Sequence, residues 1–325
     1  MSSNRSDWFP ACDGPALRAR AVLLSRLRDY FARESVLEVE TPLLCGRVGC
    51  DPHLHFFGCD SAASVRYLQT SPEFAMKRLL AAGSGSIYQI CKAFRADEAG
   101  RLHNPEFTLL EWYRLGFDLD ALMHDVEALL SHAGDNRWTA GSFERRSYRD
   151  VFLHYAAIDP LNATPADFCA RTRLLGLHEA ENLCGEDISL WLDFLFSHIV
   201  QPCLGLDAPC FVYHFPACLP SLARRNAADL RVVKRVELIW KGVELANGYH
   251  ELCDAAEQAQ RFEQDRAERS RLGMPVPQAD ERLLAALHHG LPECAGVALG
   301  LDRLLMLLQD AERIDNVLAF PWSRA

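Results

Sequence analysis

The residues RVELIWKGVELANGYHEL, positions 235–252, leave this chain few ways to fold. Apolar and polar side chains alternate with the period of two that belongs to a strand, pause at Lys241 and Gly242, and then resume. Lys-Gly is a fair two-residue turn, so the segment reads as an antiparallel hairpin, and an isolated hairpin is not stable without a sheet to join. Yet it holds three glutamates, Glu237, Glu244 and Glu251. With the turn at Lys241-Gly242, Trp240 lies opposite Val243 and Ile239 opposite Glu244, which puts Glu237 and Glu244 on one face as diagonal neighbours. Two close carboxylates repel, and burying either without a partner is costly. A hard cation such as Mg²⁺ takes oxygen ligands and would resolve the conflict. A solvent-facing acidic hairpin would avoid it. The segment alone is compatible with both.

Similar patterns run through the rest of the chain. Asp13, Gly14 and Pro15 mark a helix start, and Leu17, Ala21, Leu24, Leu27 and Phe31 recur at helical spacing towards an end near Glu34. VLEVETP follows as a strand stopped by Pro42. RYLQTSPEFAMKRLLAAG reads as a strand and then a helix, with Ser71 as N-cap, Pro72 at the first helical position, Glu73 in the first turn where its charge suits the dipole, and Gly83 as the stop. In SIYQICKAFRAD, Cys91, Ala93, Arg95 and Asp97 share one strand face, while Ile90, Lys92 and Phe94 share the other. After the polar loop EAGRLHNPE, the strand FTLLEWY places Phe107, Leu109, Glu111 and Tyr113 on one face. These two strands form a long-looped hairpin that carries charge on a surface expected to be covered.

From about Gly116 to Leu230 the pattern is mainly helical, broken at Pro160, Pro165, Pro202 and Pro209. Its most apolar run, ISLWLDFLFSHIV, is too short to span a bilayer, contains Asp193 and His198, and reads as a buried helix. AAEQAQRFEQDRAERSRL reads as a polar helix with a solvated face. GVALGLDRLLMLLQD is a glycine-rich strand running into a helix: Gly296 and Gly300 permit close approach of a ligand, and Arg303 stands near the helix start. Neither this segment nor AAGSGS fits the phosphate-loop pattern G-x(4)-G-K-[ST].

The formal net charge of -10 argues against an extended nucleic-acid footprint, because such affinity comes largely from Lys and Arg neutralising phosphates. MSSNRSDWFPACDGP lacks the apolar core of a secretory signal, and twelve cysteines without one indicate reduced thiols in the cytoplasm, with no membrane association expected. CGRVGCDPHLHFFGC gathers Cys45, Cys50, His53, His55 and Cys59 but lacks the paired C-x(2–4)-C spacing of zinc sites, so it reads as a loop over packed thiols.

The order of these pieces carries a resemblance. A helix, strand and proline come first, then F-R-x-x with its loop and strand, and last a glycine-rich strand with Asp302-Arg303. This resembles the three signature motifs of class II aminoacyl-tRNA synthetases, over nearly the whole chain from about Pro15 to Ala325. HNPEFTLLEWY, KGVELANGYHELCDAAEQAQRF and GVALGLDRLLML look most like lysyl-tRNA synthetase. The first motif begins within a few dozen residues of the start, which leaves no room in this sequence for the anticodon-reading OB-fold domain of those enzymes. The resemblance therefore points to their truncated paralogues, which activate (R)-β-lysine as an adenylate and attach it to a lysine of elongation factor P.

That resemblance implies site residues. Arg95 would contact the α-phosphate and Arg303 the far phosphates. His103 and Asn104 would lie in the loop over the nucleotide, Phe107 would stack on adenine, Leu245 would line the nucleotide site, and Gly300 would leave room for it. Glu237 and Glu244 match the magnesium-binding glutamates. Glu251, Glu111 and Tyr113 match the pocket for the side-chain ammonium. Glu73, with Ser71 and Pro72 before it, matches the contact to the other amino group, and Asn247 would orient the substrate. The hairpin's carboxylates are thus expected to face magnesium and an ammonium substrate rather than protein cations. Two positions depart from the lysyl-tRNA synthetase pattern. FRADE puts Asp97 where F-R-x-E has glutamate, with Glu98 expected on the opposite strand face, and Ala298 replaces a glycine, as in the paralogues.

The expectation is a single class II synthetase-like domain over residues 1–325, in the α/β (α+β) class, with an antiparallel sheet flanked by helices and a helical elaboration at about 116–230. Its cofactors would be ATP and Mg²⁺, its acceptor elongation factor P, and its assembly a homodimer without stable tRNA binding. A reduced lysyl-tRNA synthetase that charges tRNA and a non-catalytic ligand-binding paralogue are the alternatives.

Overall fold

The computed structural model describes residues 8–52, 54–60, 65–134, 137–139 and 141–325. The chain opens with α1 (Gly14–Arg33), whose N-terminus is capped by Asp13 accepting from the Ala16 amide, as its sequence predicts. The strand expected next is only two residues long, β1 (Leu37–Glu38). β2 (Leu44–Cys45), β3 (Gly58–Asp60) and β4 (Val65–Leu68) form a separate small sheet in the order β2-β4-β3. Then come α2 (Glu73–Ala81) and the predicted hairpin, β5 (Ile87–Phe94) with β6 (Glu106–Leu115), paired antiparallel.

The region expected to be mainly helical contains α3 (Leu119–Ala133), β7 (Glu144–Ser147), α4 (Tyr148–Val151), α5 (Pro165–Leu174), α6 (Ala180–Cys184), α7 (Ile188–Leu195), β8 (Cys210–Pro216) and β9 (Arg225–Asn226). Three of these elements are strands that join the main sheet, which corrects the helical reading. β8 escaped notice because both its faces are covered: Phe211 packs into one core and Cys210, Val212 and Phe215 into another, so its apolar residues do not alternate. The run 188–200 is the buried helix expected, α7 continued by a wider turn, with Trp191, Leu192, Leu195 and Val200 inaccessible.

The opening hairpin is β10 (Asp229–Trp240) and β11 (Val243–His250), turning through Lys241 (φ 51°) and Gly242 (φ 72°), the paired positive φ values of a tight hairpin turn. The chain ends with α8 (Ala255–Arg271), α9 (Glu281–Gly290), β12 (Cys294–Gly300) and α10 (Leu301–Leu308). The main sheet has nine strands in the order β1-β5-β6-β12-β11-β10-β8-β7, with β9 beside β10. It is antiparallel throughout its middle, with parallel pairing only at the two edges, β1 with β5 and β7 with β8.

Helices cover the sheet unevenly. One face packs against α1, α3 and α10 through Leu27, Phe31, Leu122, Leu129, Leu304 and Leu305, all buried. On the other face, α2, α8 and α9 cover one flank through Met76, Phe262 and Leu287, and α4 to α7 cover the opposite flank through Phe152, Phe168 and Trp191. The middle strands between those flanks are left open on that face, and the polar strand positions lie there. Among the described residues no helix is long and apolar enough to cross a membrane.

Candidate active site

Strand register assembles the site before any side chain is considered. Gln89, Glu111, Ala298, Asn247 and Glu237 are successive partners across β5, β6, β12, β11 and β10, so they form one row on the open face. Two residues along, Tyr113, Gly296, Tyr249 and Arg235 form the next row. In the other direction Leu109 pairs with Gly300, and Phe107 lies beyond it on β6. The face read from FTLLEWY is therefore the cavity face: Phe107, Leu109, Glu111 and Tyr113 all line one cavity of about 570 Å³.

A bulge in the hairpin makes this row possible. Ile239 pairs with Glu244 as expected, but the register shifts between Leu238 and Ile239, so that Leu238 pairs with Ala246 and Glu237 with Asn247. An unbroken register would have sent Asn247 and Glu251 to the face away from Glu244. The extra residue restores them to the same side, which is the usual effect of a bulge near a functional site. All three hairpin glutamates line the cavity, together with Arg95 and Arg303.

The carboxylates do have protein cations, contrary to expectation, and those cations escaped the sequence reading. Arg235 Nη2 donates to Glu237 Oε1 at 2.6 Å, and its guanidinium lies 4.4 Å from the centre of the Phe215 ring. Burial, opposed by Arg235 and reinforced by Glu244, pushes Glu237 up to about 7. Lys77 Nζ donates to Glu73 Oε1 at 2.7 Å and lies 2.5 Å from Glu251 Oε2. Lys77 was legible only as a helical position four residues after Glu73.

At the acidic end, Ser71 Oγ donates to Glu111 Oε2 at 2.8 Å while accepting from the Glu73 amide at 3.1 Å; the N-cap of α2 falls on Pro72 rather than on Ser71 as expected, and Ser71 ties the helix start to the carboxylate. The Tyr113 hydroxyl donates to Glu111 Oε1 at 2.7 Å. Burial, reinforced by Glu73, pushes Glu111 up to about 7, and burial pushes Glu251 up to about 8 against the pull of Lys77. Among the described residues neither oxygen of Glu251 has a hydrogen-bond partner: Oε2 makes the ion pair with Lys77, and Oε1 has no partner at all. Gly296 is required here by packing rather than by a ligand, because a Cβ would stand 2.3 Å from the Tyr113 ring and 2.8 Å from Glu251 Oε1. Gly300 differs: the nearest atoms to a Cβ there are 3.8 Å away, so the protein itself does not demand glycine.

At the other end, Arg303 fastens two segments, the loop at Leu102-His103 and β11 at Glu244, to α10. It donates from Nε to the Leu102 carbonyl at 3.2 Å, from Nη1 to the Glu244 carbonyl at 3.0 Å, and from Nη2 to His103 Nε2 at 2.5 Å. Burial and the neighbouring Arg303 hold the His103 imidazole below its usual range, so it is neutral and can accept. Asn104 is spent on structure: Nδ2 donates to the Glu106 carbonyl and Oδ1 accepts from the Trp322 amide, tying the chain's end to the loop. Arg95 is less committed. Its buried Nε lacks a partner among the described residues, Glu98 is 3.9 Å from Nη1, and the guanidinium lies 5.1 Å from the centre of the Phe107 ring.

The structure separates Asp97 from the rest. β5 ends at Phe94, and Asp97 has φ 64°, so strand alternation no longer applies beyond it. The Asp97 carboxylate turns outward, with its side chain 82% exposed and paired with His55 at 3.1 Å. Glu98 lines the cavity in its place. Asp97→Ala should therefore leave the KM for ATP within about twofold, and Glu98→Ala should raise it about tenfold, the loss of one hydrogen bond to a charged group. Equal effects of the two substitutions in pyrophosphate exchange would contradict the assignment.

Helix α8 also corrects its reading as a solvated face. Arg269 is buried and donates to the carbonyls of Asp51, Leu54 and Pro275, and Arg261 donates to those of Ser221 and Ala223. These arginines pin two loops that border the cavity, and Gln258, Phe262 and Asp265 line it. In the cysteine-rich loop, burial pushes Cys50 up to about 11, and Cys45 and Cys50 line the same cavity. His53 lies outside the described residues. All twelve cysteines are free thiols.

Among the described residues no three His, Cys, Asp or Glu side chains gather as a metal cage. A magnesium ion shared with nucleotide phosphates needs only one or two protein carboxylates. Glu237 and Glu244 fit that need, because the second carboxylate adds to the strain on the first even with Arg235 bound. The cavity gathers Glu73, Glu111 and Glu251 in one part of its lining and Arg95 and Arg303, each beside a glutamate, in another, an arrangement that can hold ammonium groups and phosphates within one enclosure.

Residues 14–324 match the family described as tRNA synthetases class II (D, K and N). The elongation factor P–(R)-β-lysine ligase of Vibrio cholerae is 48% identical over 98% of this chain and 99% of its own length. Proteins of the same name from Edwardsiella ictaluri and Pasteurella multocida are 46% identical over 99% of this chain and 45% identical over 97% of it, covering 100% and 98% of their own lengths.

Proposed function

The chain belongs to the class II tRNA synthetases, and from that premise we propose that it activates (R)-β-lysine with ATP and joins it to a lysine side chain of translation elongation factor P. The observation that carries this reading is the division of one cavity between Glu73, Glu111 and Glu251 and the guanidinium groups of Arg95 and Arg303. A substrate with two ammonium groups suits the first set, and a triphosphate suits the second.

In the first step a carboxylate oxygen of β-lysine attacks the α-phosphorus of ATP, the bond to the bridging oxygen breaks, and pyrophosphate leaves. Negative charge builds at that phosphorus. Arg95, with its uncommitted Nε, is placed to meet it, and Arg303 to hold the far phosphates. Phe107 offers a face for adenine, with His103 and Glu98 beside it. Magnesium held by Glu237 and Glu244 would neutralise phosphate charge. Glu111 is fixed at both oxygens by Ser71 and Tyr113, so it presents a set geometry to an ammonium group. Holding both reactants in one enclosure supplies the rest of the acceleration by orientation. In the second step the neutral ε-amine of the acceptor lysine attacks the adenylate carbonyl, an amide forms, and AMP leaves while the amine gives up a proton.

We read residues 1–325 as one catalytic domain working in the cytoplasm, where twelve free thiols and a translation factor as acceptor are at home. A homodimer formed through the first motif is supported by the exposed Leu17, Val22 and Leu37 on α1 and the edge strand β1. Pyrophosphate exchange with ATP and each lysine isomer tests activation, and no exchange with either would leave only a ligand-binding protein. Elongation factor P or tRNA supplied as acceptor then separates a protein ligase from a tRNA-charging enzyme.

Ala298 bears on donor choice. Its methyl group stands in the row between Glu111 and Asn247, on the floor where the substrate backbone would lie. Ala298→Gly should raise exchange with α-lysine about tenfold relative to β-lysine, the scale of one methyl group in a pocket. An unchanged isomer ratio would count against this role.

A further inference from the structure

Lys77 is the buried cation closest to the acidic end, yet it does not line the cavity. It stands behind the wall, on the second turn of α2, and bridges Glu73 Oε1 at 2.7 Å and Glu251 Oε2 at 2.5 Å. Both glutamates line the cavity, and Glu251 Oε1, on the Gly296 side, has no partner among the described residues. We infer that Lys77 is a positioning residue that holds one oxygen of each glutamate from behind, presents the other oxygens to the substrate, and sets the charge of the pocket to suit two ammonium groups.

The charge count follows from the groups in place. Glu73 on α2, Glu251 at the end of β11 and Glu111 on β6 carry three negative charges when ionised, and Lys77 carries one positive charge. Among the other groups nearby, Tyr113 on β6, Tyr249 on β11, Cys91 on β5, Cys294 on β12 and Cys253 are pushed up by burial and stay neutral, while Arg224 and Arg235 are paired with Glu293 and Glu237. Two negative charges remain for a ligand to balance, which is the number of ammonium groups on a diamino acid. Without Lys77, three buried carboxylates would face one another unopposed, and protons would take the place of substrate. Glu251 stands at about 8 and Glu111 at about 7 even with Lys77 present, so the pocket is already close to that exchange. Raising the pH ionises the glutamates, and affinity for the diamine should rise with it until the substrate loses its own protons.

This inference rests on the proposed function, and the test separates the two. β-Lysine binding by the full chain is followed by calorimetry, and KM and kcat by pyrophosphate exchange, between about pH 6 and pH 9, a span set around the Glu111 and Glu251 values. Lys77→Met should raise the KM for β-lysine at least about tenfold near neutral pH, with part of the loss recovered at higher pH, while the KM for ATP and kcat at saturation move less than about threefold. Lys77→Arg, which restores the charge, should regain most of the affinity. If Lys77→Met shows no ATP-dependent thermal shift and so has not folded, Lys77→Gln, which is shorter but keeps N–H donors while losing the charge, carries the same expectation. A KM for β-lysine that matches the wild type at every pH, or an affinity for β-lysine that is lost together with kcat and ATP binding, overturns the inference. Absence of β-lysine binding or exchange by the wild type would overturn the proposed function instead.

Discussion

Arg95→Ala should lower pyrophosphate exchange by about 10²- to 10³-fold, the scale of losing one preorganised donor to a charge that develops in the transition state. Arg95 has few commitments within the protein. Among the described residues its buried Nε has no partner, and its guanidinium is held only by a carboxylate 3.9 Å away and by the Phe107 ring. Removing it breaks no fastening, so thermal stability should change little. Arg303→Ala offers the contrast. It should cost activity on a similar scale but also stability, because the Leu102 and Glu244 carbonyls and His103 would each lose a donor. Exchange within tenfold of wild type for Arg95→Ala, measured on a variant of unchanged melting temperature, would contradict its placement at the phosphate.

The second large effect belongs to a glycine that sequence alone assigns to ligand approach. Gly296→Ala should destabilise the protein by about 1–3 kcal/mol, the usual cost of overpacking a well-filled core, and should remove β-lysine activation with it. Its Cβ would lie 2.3 Å from two carbons of the Tyr113 ring. That ring cannot easily yield, because it is buried and its hydroxyl is bonded to Glu111 at 2.7 Å. Gly300→Ala, with no protein atom nearer than 3.8 Å, should keep its stability and lose only affinity for ATP. Thermal melts and the KM for ATP distinguish the two. Equal destabilisation by both substitutions would show that the cavity is packed differently from the description above.

The parts of the site that sequence revealed are those governed by a local rule. Alternation in FTLLEWY gave the face of Phe107, Leu109, Glu111 and Tyr113, and the Lys241-Gly242 turn gave the pairing of Ile239 with Glu244. The rest depended on departures from such rules. The bulge beside Leu238 moves Asn247 and Glu251 back to the cavity, and nothing in the composition of the hairpin announces it. The positive φ of Asp97 exchanges the faces that alternation assigns to Asp97 and Glu98. Lys77 and Arg235 are not legible locally, because Lys77 meets Glu251 across the chain and Arg235 meets Glu237 only where the strand is buried, and Arg269 is not, because a polar helix can be buried through carbonyl contacts. Those cations matter to the chemistry. They let a cluster of buried carboxylates exist, which a substrate and a metal could not do during folding.

The central claim is that the acidic and basic ends of one cavity bring a diamino acid and ATP together for transfer to a protein. Intact-mass measurement of elongation factor P after incubation with the enzyme, ATP and either (R)-β-lysine or α-lysine tests it most directly. The account predicts a mass gain of one lysyl group on a single site, greatest with (R)-β-lysine and absent without ATP. Unmodified elongation factor P under all of these conditions, from an enzyme that still exchanges pyrophosphate, would contradict it.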